Sequence, residues 1–596
     1  MSEDLRKGLT YSAAGILGFS SILTQVLLLR EFLAVLTGNE LLIGILLSNW
    51  MLLTGIGAYA GRFIKDRQIN SLILLLHSLL ATLPLLSILV LFRSRYLLFS
   101  PGLELNLQEV MIFSFLLLAP FCLISGFLFN LYASFMQKRN QIHSLAKIYS
   151  IESAGSFIGG LFSAFILIRY LNLYSCLLLI LLLNMGISIL FGFFQLRKSF
   201  VISLFLQVVA VIVLILLVPQ HLDKSRIFPG QELIFSKESN YGSVAVTETG
   251  RQLNFYENGS LLFSTHANKY HEEIIHYSFS LHDQPRNILI ISGNFMALQK
   301  EIEKYENTEI SYVEMNPEVV EAQEQLLNKS DSLNEKDMDF YIEDPMHFFK
   351  QSSAKYDLII MNLPPPSSAM ISRFYSSSFF AEVKKHLEKK GIFTFSLPAA
   401  ENYASDRLLE LLSSIFNTLQ AQFKEIRVIS GQRTYFLASQ ENLQGSIMDR
   451  IKQLNIENLY VNEHYIREDL LRMRSELLRD SFIRDAPLNK DLRPVAYYYQ
   501  LRSWLHANKI ETGHLLTALV IIIFLVLVIS APINFALFTG GFTAASTEFL
   551  LIIAFQVIYA YVYQFIGLII AVFMLGLYLG VLYGQKEEAG SEKGFS

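Results

Sequence analysis

Residues 287–301 read NILIISGNFMALQKE, and residues 310–314 read ISYVE. The first stretch has the apolar run ILII, turns at Ser292-Gly293 and continues with helical spacing, and the second stretch is again largely apolar. Strand, turn, helix and strand in this order predict parallel pairing, because the crossover helix returns the chain in the same direction. Residues 356–361 and 391–397 repeat the pattern. We therefore predict a doubly wound α/β domain of the Rossmann type.

Both ends of this domain carry strand patterns of a different kind. Residues 426–430 and 434–439 predict an antiparallel pair, which is typical of the methyltransferase variant of the fold. Three upstream strands predict a small β-meander with a hairpin turn at Asn258-Gly259. These strands are 244–247, 253–256 and 261–264. The predicted soluble domain spans residues 222–510.

An acidic residue ends the second strand of the predicted sheet. Glu314 lies about 20 residues beyond the turn at Gly293, where a carboxylate binds the ribose hydroxyls of a nucleotide in this fold. The alternative is a solvated carboxylate at a strand end. Asp344 lies between residues 310–314 and residues 356–361, at the end of a third strand in chain order, and fits an acceptor for an adenine amine, with a surface aspartate as its alternative.

The chain outside this domain is far more apolar than a soluble enzyme. Of its 596 residues, 52% are hydrophobic and 17% are charged, whereas soluble domains have about a quarter charged. A run of about 20 apolar residues spans a bilayer as a helix. We predict seven spans in residues 1–220, three in residues 513–584, and a polar tail at 585–596. The spans are roughly 9–37, 40–61, 70–92, 109–135, 147–169, 172–195, 199–218, 513–535, 543–562 and 563–584.

These spans predict a multi-pass α-helical protein of a bacterial cytoplasmic membrane, with lipid as its partner. Ionisable groups inside such helices are costly and are therefore functional candidates. They are Arg30, Glu31 and Glu548, for which the alternative is an ion pair or a capped helix end near the interface. Gly155, Gly159 and the adjacent Gly160 share one helix face and predict close helix packing there.

The loop charges give a prediction for the side of the membrane. Lys and Arg collect in alternate loops, which predicts a cytoplasmic N-terminus. Seven spans would then place the soluble domain outside the cytoplasm, where an adenosyl cofactor is scarce. Either one predicted span is re-entrant or the domain does not use that cofactor, and both alternatives stay open.

Charge and cysteine content exclude other classes. The formal net charge is −4 and no dense basic stripe occurs, so no nucleic-acid partner is expected. The two cysteines, Cys122 and Cys176, lie in apolar runs and are interpreted as packed thiols. No metal ligands are expected.

Residues 235–505 resemble the spermidine synthases, or polyamine aminopropyltransferases, in their membrane-embedded form. Tyr270-His271-Glu272 resembles the YHE motif of that family, and residues 311–317 (SYVEMNP) resemble its acidic ribose motif. Further similar stretches are residues 148–160, 287–301, 373–375 and 489–501.

The resemblance implies transfer of an aminopropyl group from decarboxylated S-adenosylmethionine to a polyamine, with no tightly bound cofactor. It implies donor binding by Glu314, Asp344, Gly293 and His271, and substrate binding by Tyr270 and Glu272. Asn362 stands at the position of the catalytic aspartate.

The chain departs from the family pattern at the catalytic positions. Phe295 replaces the aspartate of the donor loop, and Asn362 replaces the carboxylate that takes a proton from the attacking amine. An amide has no useful basicity, and general-base help is typically worth about 10²–10⁴-fold. Whether the chain is an active transferase therefore stays open.

The alternative is a non-catalytic domain that binds a ligand and regulates a transporter-like helical bundle. The first and last helix pairs share residues at one constant offset, such as Gly44 with Gly567 and Gly57 with Gly580. Internal repeats of this kind are common in transporters. The sequence leaves the ligand and the oligomeric state open.

Overall fold

The computed structural model describes residues 3–593 outside a set of gaps. The gaps are residues 37–39, 64–68, 98–106, 138–143, 168–169, 196–200, 202–203, 206, 210, 213–223, 328–337, 400–404, 508–511, 530–531 and 560–562.

The N-terminal part of the described chain is a bundle of long apolar helices. They are α1 (Glu3–Val35), α2 (Glu40–Gly61), α3 (Ile69–Leu97), α4 (Leu107–Gln137), α5 (Ser144–Phe162) and α6 (Leu173–Gln195), with a π-helical turn at Ser163–Leu167. A β-meander follows, formed by β1 (Glu232–Glu238), β2 (Ser243–Thr249), β3 (Gln252–Glu257) and β4 (Ser260–Ser264). The meander therefore has one strand more than predicted, because β1 shows only weak alternation of apolar residues.

The α/β domain contains the predicted strands and crossover helices. They are α7 (Asn268–Phe279), β5 (Asn287–Ile291), α8 (Phe295–Ile302), β6 (Glu309–Glu314), α9 (Pro317–Leu327), β7 (Met338–Ile342), α10 (Pro345–Gln351), β8 (Tyr356–Met361), α11 (Ala369–Ser372), α12 (Ser377–Lys385), β9 (Leu387–Pro398), α13 (Asp406–Gln420), β10 (Glu425–Ser430), β11 (Arg433–Ser439), α14 (Ile447–Gln453), α15 (Glu468–Asp480) and α16 (Val495–Ala507). The chain then continues with α17 (Thr512–Ile529), α18 (Pro532–Tyr559) and α19 (Tyr563–Lys593).

The main sheet has the order β10-β11-β9-β8-β5-β6-β7. Strands β5 to β9 are parallel, and β10 and β11 pair antiparallel. This arrangement confirms the predicted Rossmann-like domain with a mixed sheet. Ligands of open α/β sheets bind at the carboxyl ends of the parallel strands, so that edge is the place for a site.

Eight described helices are long and apolar enough to cross a membrane, judged by length and composition. These eight are α1 to α6, which coincide with the first six predicted spans, and α18 and α19, which coincide with the last two. Helix α17 lies at the predicted span 513–535 and is not among the eight. The predicted span at 199–218 falls largely outside the described residues. Insertion into a membrane stays a prediction.

Close helix packing occurs where the glycines predicted it. A Cβ atom at Gly155 would lie 2.0 Å from the Gly15 carbonyl oxygen, and one at Gly160 would lie 2.7 Å from the Ala571 side chain. Helix α5 thus contacts both α1 and α19 backbone to backbone. The Arg30 guanidinium and the Glu31 carboxylate form a buried ion pair of 2.8 Å in α1, and Glu548 lies in α18. A functional role for these three residues stays a prediction.

The meander joins the bundle to the α/β domain. Val244 and Val246 of β2 pack into the core around β5 and β6, whereas Ala245 and Leu233 pack with the bundle helices. Successive side chains of a strand point to opposite faces, so both faces of this small sheet are covered. The two parts of the chain therefore share a continuous packed interface.

Candidate functional site at the carboxyl edge of the sheet

Glu314 lies at the end of β6 and is 5% exposed. Its carboxylate accepts hydrogen bonds from the Ser292 hydroxyl at 2.7 Å and from the Asn316 amide at 3.1 Å. Burial raises the pKa of Glu314, and these hydrogen bonds oppose that shift. The carboxylate is therefore fixed beside the turn that follows β5, where the sequence placed it.

The turn after β5 needs unusual backbone angles. Ser292 has a φ of 61° and Gly293 a φ of 98°. A Cβ atom at Gly293 would lie 2.8 Å from the Cβ of Asn362, so glycine allows β5 and β8 to approach here. The turn therefore adjoins both predicted site residues. Ser292 donates to Glu314, and Gly293 lies against Asn362.

A second carboxylate, which sequence reasoning missed, lies close to Glu314. Glu257 ends β3 of the meander, and its carboxylate accepts a hydrogen bond of 2.6 Å from the Asn316 side chain. Burial, and then the charge of Glu314, raise the pKa of Glu257 to about 7. The signal that could have identified it is an acidic residue directly before the Asn-Gly hairpin turn.

Asn362 follows β8 and has both ends of its amide occupied. Its amide nitrogen donates to the Ser292 carbonyl at 3.2 Å, and its oxygen accepts from the Tyr270 hydroxyl at 2.8 Å. A carbonyl can only accept, so the donor end of the side chain must face Ser292. The local structure therefore suits an amide better than an ionised carboxylate.

Arg433 places a positive charge beside the ring of Tyr270. The Arg433 guanidinium stands over the Tyr270 ring at 5.1 Å from its centroid and donates to the Ser396 hydroxyl at 2.8 Å. It is also within electrostatic reach of Glu273, whose carboxylate accepts a 2.8 Å hydrogen bond from Tyr435. Sequence reasoning missed Arg433, because its approach to Tyr270 is set by the β9–β11 pairing.

Two predicted site residues have structural partners instead. The Glu272 carboxylate accepts hydrogen bonds from the backbone amides of Leu459, Tyr460 and Val461 at 2.7–2.9 Å. His271 is 2% exposed, and its ring nitrogens have no hydrogen-bond partner among the described residues. Burial lowers the pKa of His271 to about 4, so it is neutral at pH 7. The prediction that this pair lines the ligand site has no support in the geometry.

The Asp344 carboxylate also has hydrogen-bond and ion-pair partners within the chain. It caps α10 by accepting the Met346 amide at 2.8 Å, and it forms an ion pair with the buried Arg373. A carboxylate at a helix N-terminus with a basic partner has a structural role without any ligand. Its predicted contact with an adenine amine therefore competes with these bonds.

Phe295 packs into the core beneath the turn. It is 3% exposed and lies against Tyr312 and Phe340, with ring centroids 5.3 Å and 5.1 Å away. Its backbone amide donates to the Gln323 side chain at 3.1 Å. The position that carries an aspartate in the resembled family thus belongs to the hydrophobic core of this chain.

Asp357 lies at the opposite end of β8 from Asn362. It accepts hydrogen bonds from the backbone amides of Arg286 and Asn287 at 2.9 Å and 3.0 Å. It is therefore too far along the strand to take a proton at Asn362. Among the residues that the structure describes, no group of three or more His, Cys, Asp and Glu side chains is placed to hold a metal ion.

Comparison with known proteins points to one family. Residues 267–445 match the spermine/spermidine synthase domain. A polyamine aminopropyltransferase of Oceanobacillus iheyensis is 25% identical over 347 residues, which cover 53% of this chain and 65% of the relative. Polyamine aminopropyltransferase 2 of Aquifex aeolicus is 25% identical over 509 residues, which cover 81% and 96%. A solved spermidine synthase from Thermotoga maritima is 18% identical, with a TM-score of 0.34 over 41% of this chain and 88% of that one.

Proposed function

We propose that the chain is a membrane-embedded aminopropyltransferase-type protein, because residues 267–445 match the spermine/spermidine synthase domain. In this proposal the donor is decarboxylated S-adenosylmethionine, which binds at Glu314, and the acceptor is an amine that reaches Asn362. The donor is a co-substrate and leaves as methylthioadenosine.

The observation that carries the proposal is the fixed carboxylate of Glu314 at the carboxyl edge of the sheet. It is buried beside a turn with two positive φ angles, at the place where this fold binds ribose. One carboxylate oxygen accepts from Ser292 at 2.7 Å and from Tyr312 at 3.4 Å, and the other accepts from Asn316 at 3.1 Å. A ribose diol would therefore replace the long Tyr312 bond and share the oxygen that faces Asn316.

The chemistry is an in-line displacement. The lone pair of a neutral acceptor amine attacks the aminopropyl carbon that is bonded to sulfur, and the carbon–sulfur bond breaks. The electron pair of that bond stays on sulfur, and the new ammonium loses a proton to water. Asn362 holds no proton-accepting group, so its contribution is to position the Tyr270 hydroxyl and the turn.

The long apolar helices support the membrane part of the proposal. We expect lipid to surround them and the soluble domain to be tethered to a cytoplasmic membrane. A single cysteine at the exposed Lys389, in a chain without Cys122 and Cys176, tests the side of the domain. An impermeant maleimide should label it in inverted vesicles and not in intact cells, since the donor is cytoplasmic. Labelling in intact cells would contradict the proposed donor.

Calorimetry on the purified full chain tests donor binding. Decarboxylated S-adenosylmethionine should bind, and Glu314→Ala should weaken binding about 100-fold, because two hydrogen bonds to a charged group are lost. Glu309→Ala is the matched control at the exposed start of the same strand and should change binding less than twofold. Absence of binding at millimolar donor would refute the proposal.

A second candidate is a donor-binding domain without transfer, which regulates the helical bundle. The Asn362 side chain favours this second candidate. Its amide forms two hydrogen bonds and leaves no proton acceptor at that position. Mass spectrometry of methylthioadenosine, with polyamine and donor present, separates the two candidates. Donor binding without methylthioadenosine release would support the second one.

A further inference from the structure

We propose that Glu40, the first residue of α2 in the helical bundle, is a positioning residue for the loop that carries Asn362. This loop comprises residues 362–368 and leads into the short helix α11. The effect on turnover rests on the proposed function, whereas the effect on the loop itself does not.

The contact between Glu40 and α11 is direct. One carboxylate oxygen of Glu40 accepts a 2.8 Å hydrogen bond from the Ala369 backbone amide, and the Met370 amide faces the same carboxylate. Glu40 is 5% exposed. A buried carboxylate at the first amides of a helix forms charge-assisted bonds that water cannot replace.

The surroundings of Glu40 come from three parts of the chain. Tyr497 of α16 lies beside the carboxylate, and burial together with the Glu40 charge raises the pKa of its hydroxyl. Helix α11 also packs against α18. The starts of α2 and α11 and the Tyr497 side chain of α16 therefore meet at this carboxylate.

The other described anchors of the loop belong to the α/β domain. The Tyr375 hydroxyl donates to the carbonyls of Leu363 and Pro364 at 3.2 Å and 2.9 Å. The buried Asn489 side chain donates to the Ser372 and Tyr375 carbonyls, each at 3.0 Å. These contacts hold residues 363–364 before Ala369 and residues 372–375 after it, so release at Ala369 frees the stretch between them. Glu40 thereby links the loop to the bundle.

Hydrogen exchange on the full chain in nanodiscs tests the inference without turnover. Glu40→Leu should speed exchange of the Ala369 and Met370 amides about tenfold or more, because their buried acceptor is removed. Glu40→Gln retains an oxygen acceptor and should stay within twofold of the native protein. Glu109→Leu, at the exposed first turn of α4, is the matched control and should have no effect. Unchanged exchange in Glu40→Leu would overturn the inference.

Kinetics separate positioning from a general loss of structure. Glu40→Leu should lower kcat about tenfold through misplacement of the loop, with donor binding unchanged within twofold and Glu40→Gln close to native. A faster-exchanging loop with unchanged kcat would overturn the positioning role. Loss of donor binding in the native protein would refute the proposed function alone, and the exchange result would still decide on Glu40.

A second variant removes the same bond from the other partner. Ala369 is the first residue of α11, where proline is tolerated, and Ser368 before it has φ −133° and ψ 160°, which suits a residue before proline. Ala369→Pro should lower kcat in the same direction as Glu40→Leu. The double variant Glu40→Leu/Ala369→Pro should lower kcat by less than the product of the two single fold-changes, because both changes remove the same hydrogen bond. A fold-change equal to that product would contradict a shared bond.

Discussion

The two halves of the candidate site differ in charge. The half built on β5, β6 and the meander brings two carboxylates, Glu314 and Glu257, to either side of Asn316. The half built on β8, β9 and β11 has an amide at Asn362 and a guanidinium at Arg433. Within the described part of the chain, no carboxylate is bonded to Asn362 or Tyr270.

This difference separates donor binding from proton removal. A ribose needs fixed hydrogen-bond acceptors, which the β6 half supplies. A polyamine arrives as a polycation and must lose a proton before it attacks. The carboxylate near Arg433, Glu273, accepts from Tyr435, and among the described residues no base is bonded to Asn362 or Tyr270. Changes at Asn362 and Arg433 test whether the β8 half limits the reaction, and a change at Glu257 tests the charge of the β6 half.

Asn362→Asp should have the largest effect. A general base typically contributes about 10²–10⁴-fold, so kcat should rise about 100-fold at alkaline pH. The new carboxyl would face the Ser292 carbonyl, which accepts the amide at 3.2 Å, so its pKa should be raised. The gain should therefore appear as pH rises through that pKa, in a rate profile from pH 6 to 10.

The matched control for this change is Asn294→Asp. Asn294 caps α8 by accepting the Ala297 amide at 3.1 Å, and an aspartate preserves that cap. Its kcat should stay within twofold of the native value. If Asn362→Asp gains nothing at any pH, proton removal does not limit the reaction and the comparison of the two halves fails.

Arg433→Gln should have an intermediate effect. Removal of one positive charge near Tyr270 should lower the KM for a polyamine about fivefold at low salt, and the effect should shrink as ionic strength rises. Lys389→Gln, a neutralisation at the exposed amino end of β9, should leave KM unchanged. A higher KM in Arg433→Gln would show that the acceptor carries an anionic group, which reverses the assumed charge of the acceptor.

The sequence was sufficient for the central strands of the main sheet and for one edge of the site. Alternation of apolar runs and helices predicts β5, β6 and β8, and parallel strands bring Ser292, Glu314 and Asn362 to the same edge. These contacts follow from local pattern and chain direction alone.

The sequence was not sufficient where a partner comes from a distant segment. Glu272 binds amides near residue 460, and Glu40 binds the amide of Ala369. Such pairs are set by tertiary packing, which a single sequence does not encode as a local pattern. Asp344 is different, because an aspartate followed by Pro345 is a helix-start signal that could have been recognised.

Glu257→Gln should have the smallest effect, seen in stability. The folded pKa of Glu257 is about 7 and its ordinary value is 4.5. The folded state therefore binds an extra proton between these values, and stability falls as pH rises through this window. Glutamine at position 257 stays neutral over this pH range, so its stability does not fall in this way, and its side-chain oxygen can still accept a hydrogen bond from Asn316. Between pH 5 and 8 this linkage amounts to about 2.5 kcal/mol. The native Tm should therefore fall about 5–10 °C further than that of Glu257→Gln, at roughly 2–4 °C per kcal/mol in such a domain.

Tryptophan fluorescence can measure the Tm of the α/β domain separately from that of the helical bundle. The chain has two tryptophans, Trp50 in α2 and Trp504 in α16, so Trp50→Phe leaves a single reporter next to the α/β domain. Glu309→Gln in this background serves as control, because its exposed carboxylate should leave the pH dependence of Tm unchanged. Equal pH dependence in Glu257→Gln and the native chain would mean that Glu257 is ionised when folded. The β6 half of the site would then carry negative charge at neutral pH, and its charge difference from the half with Arg433 would be larger than the raised pKa implies.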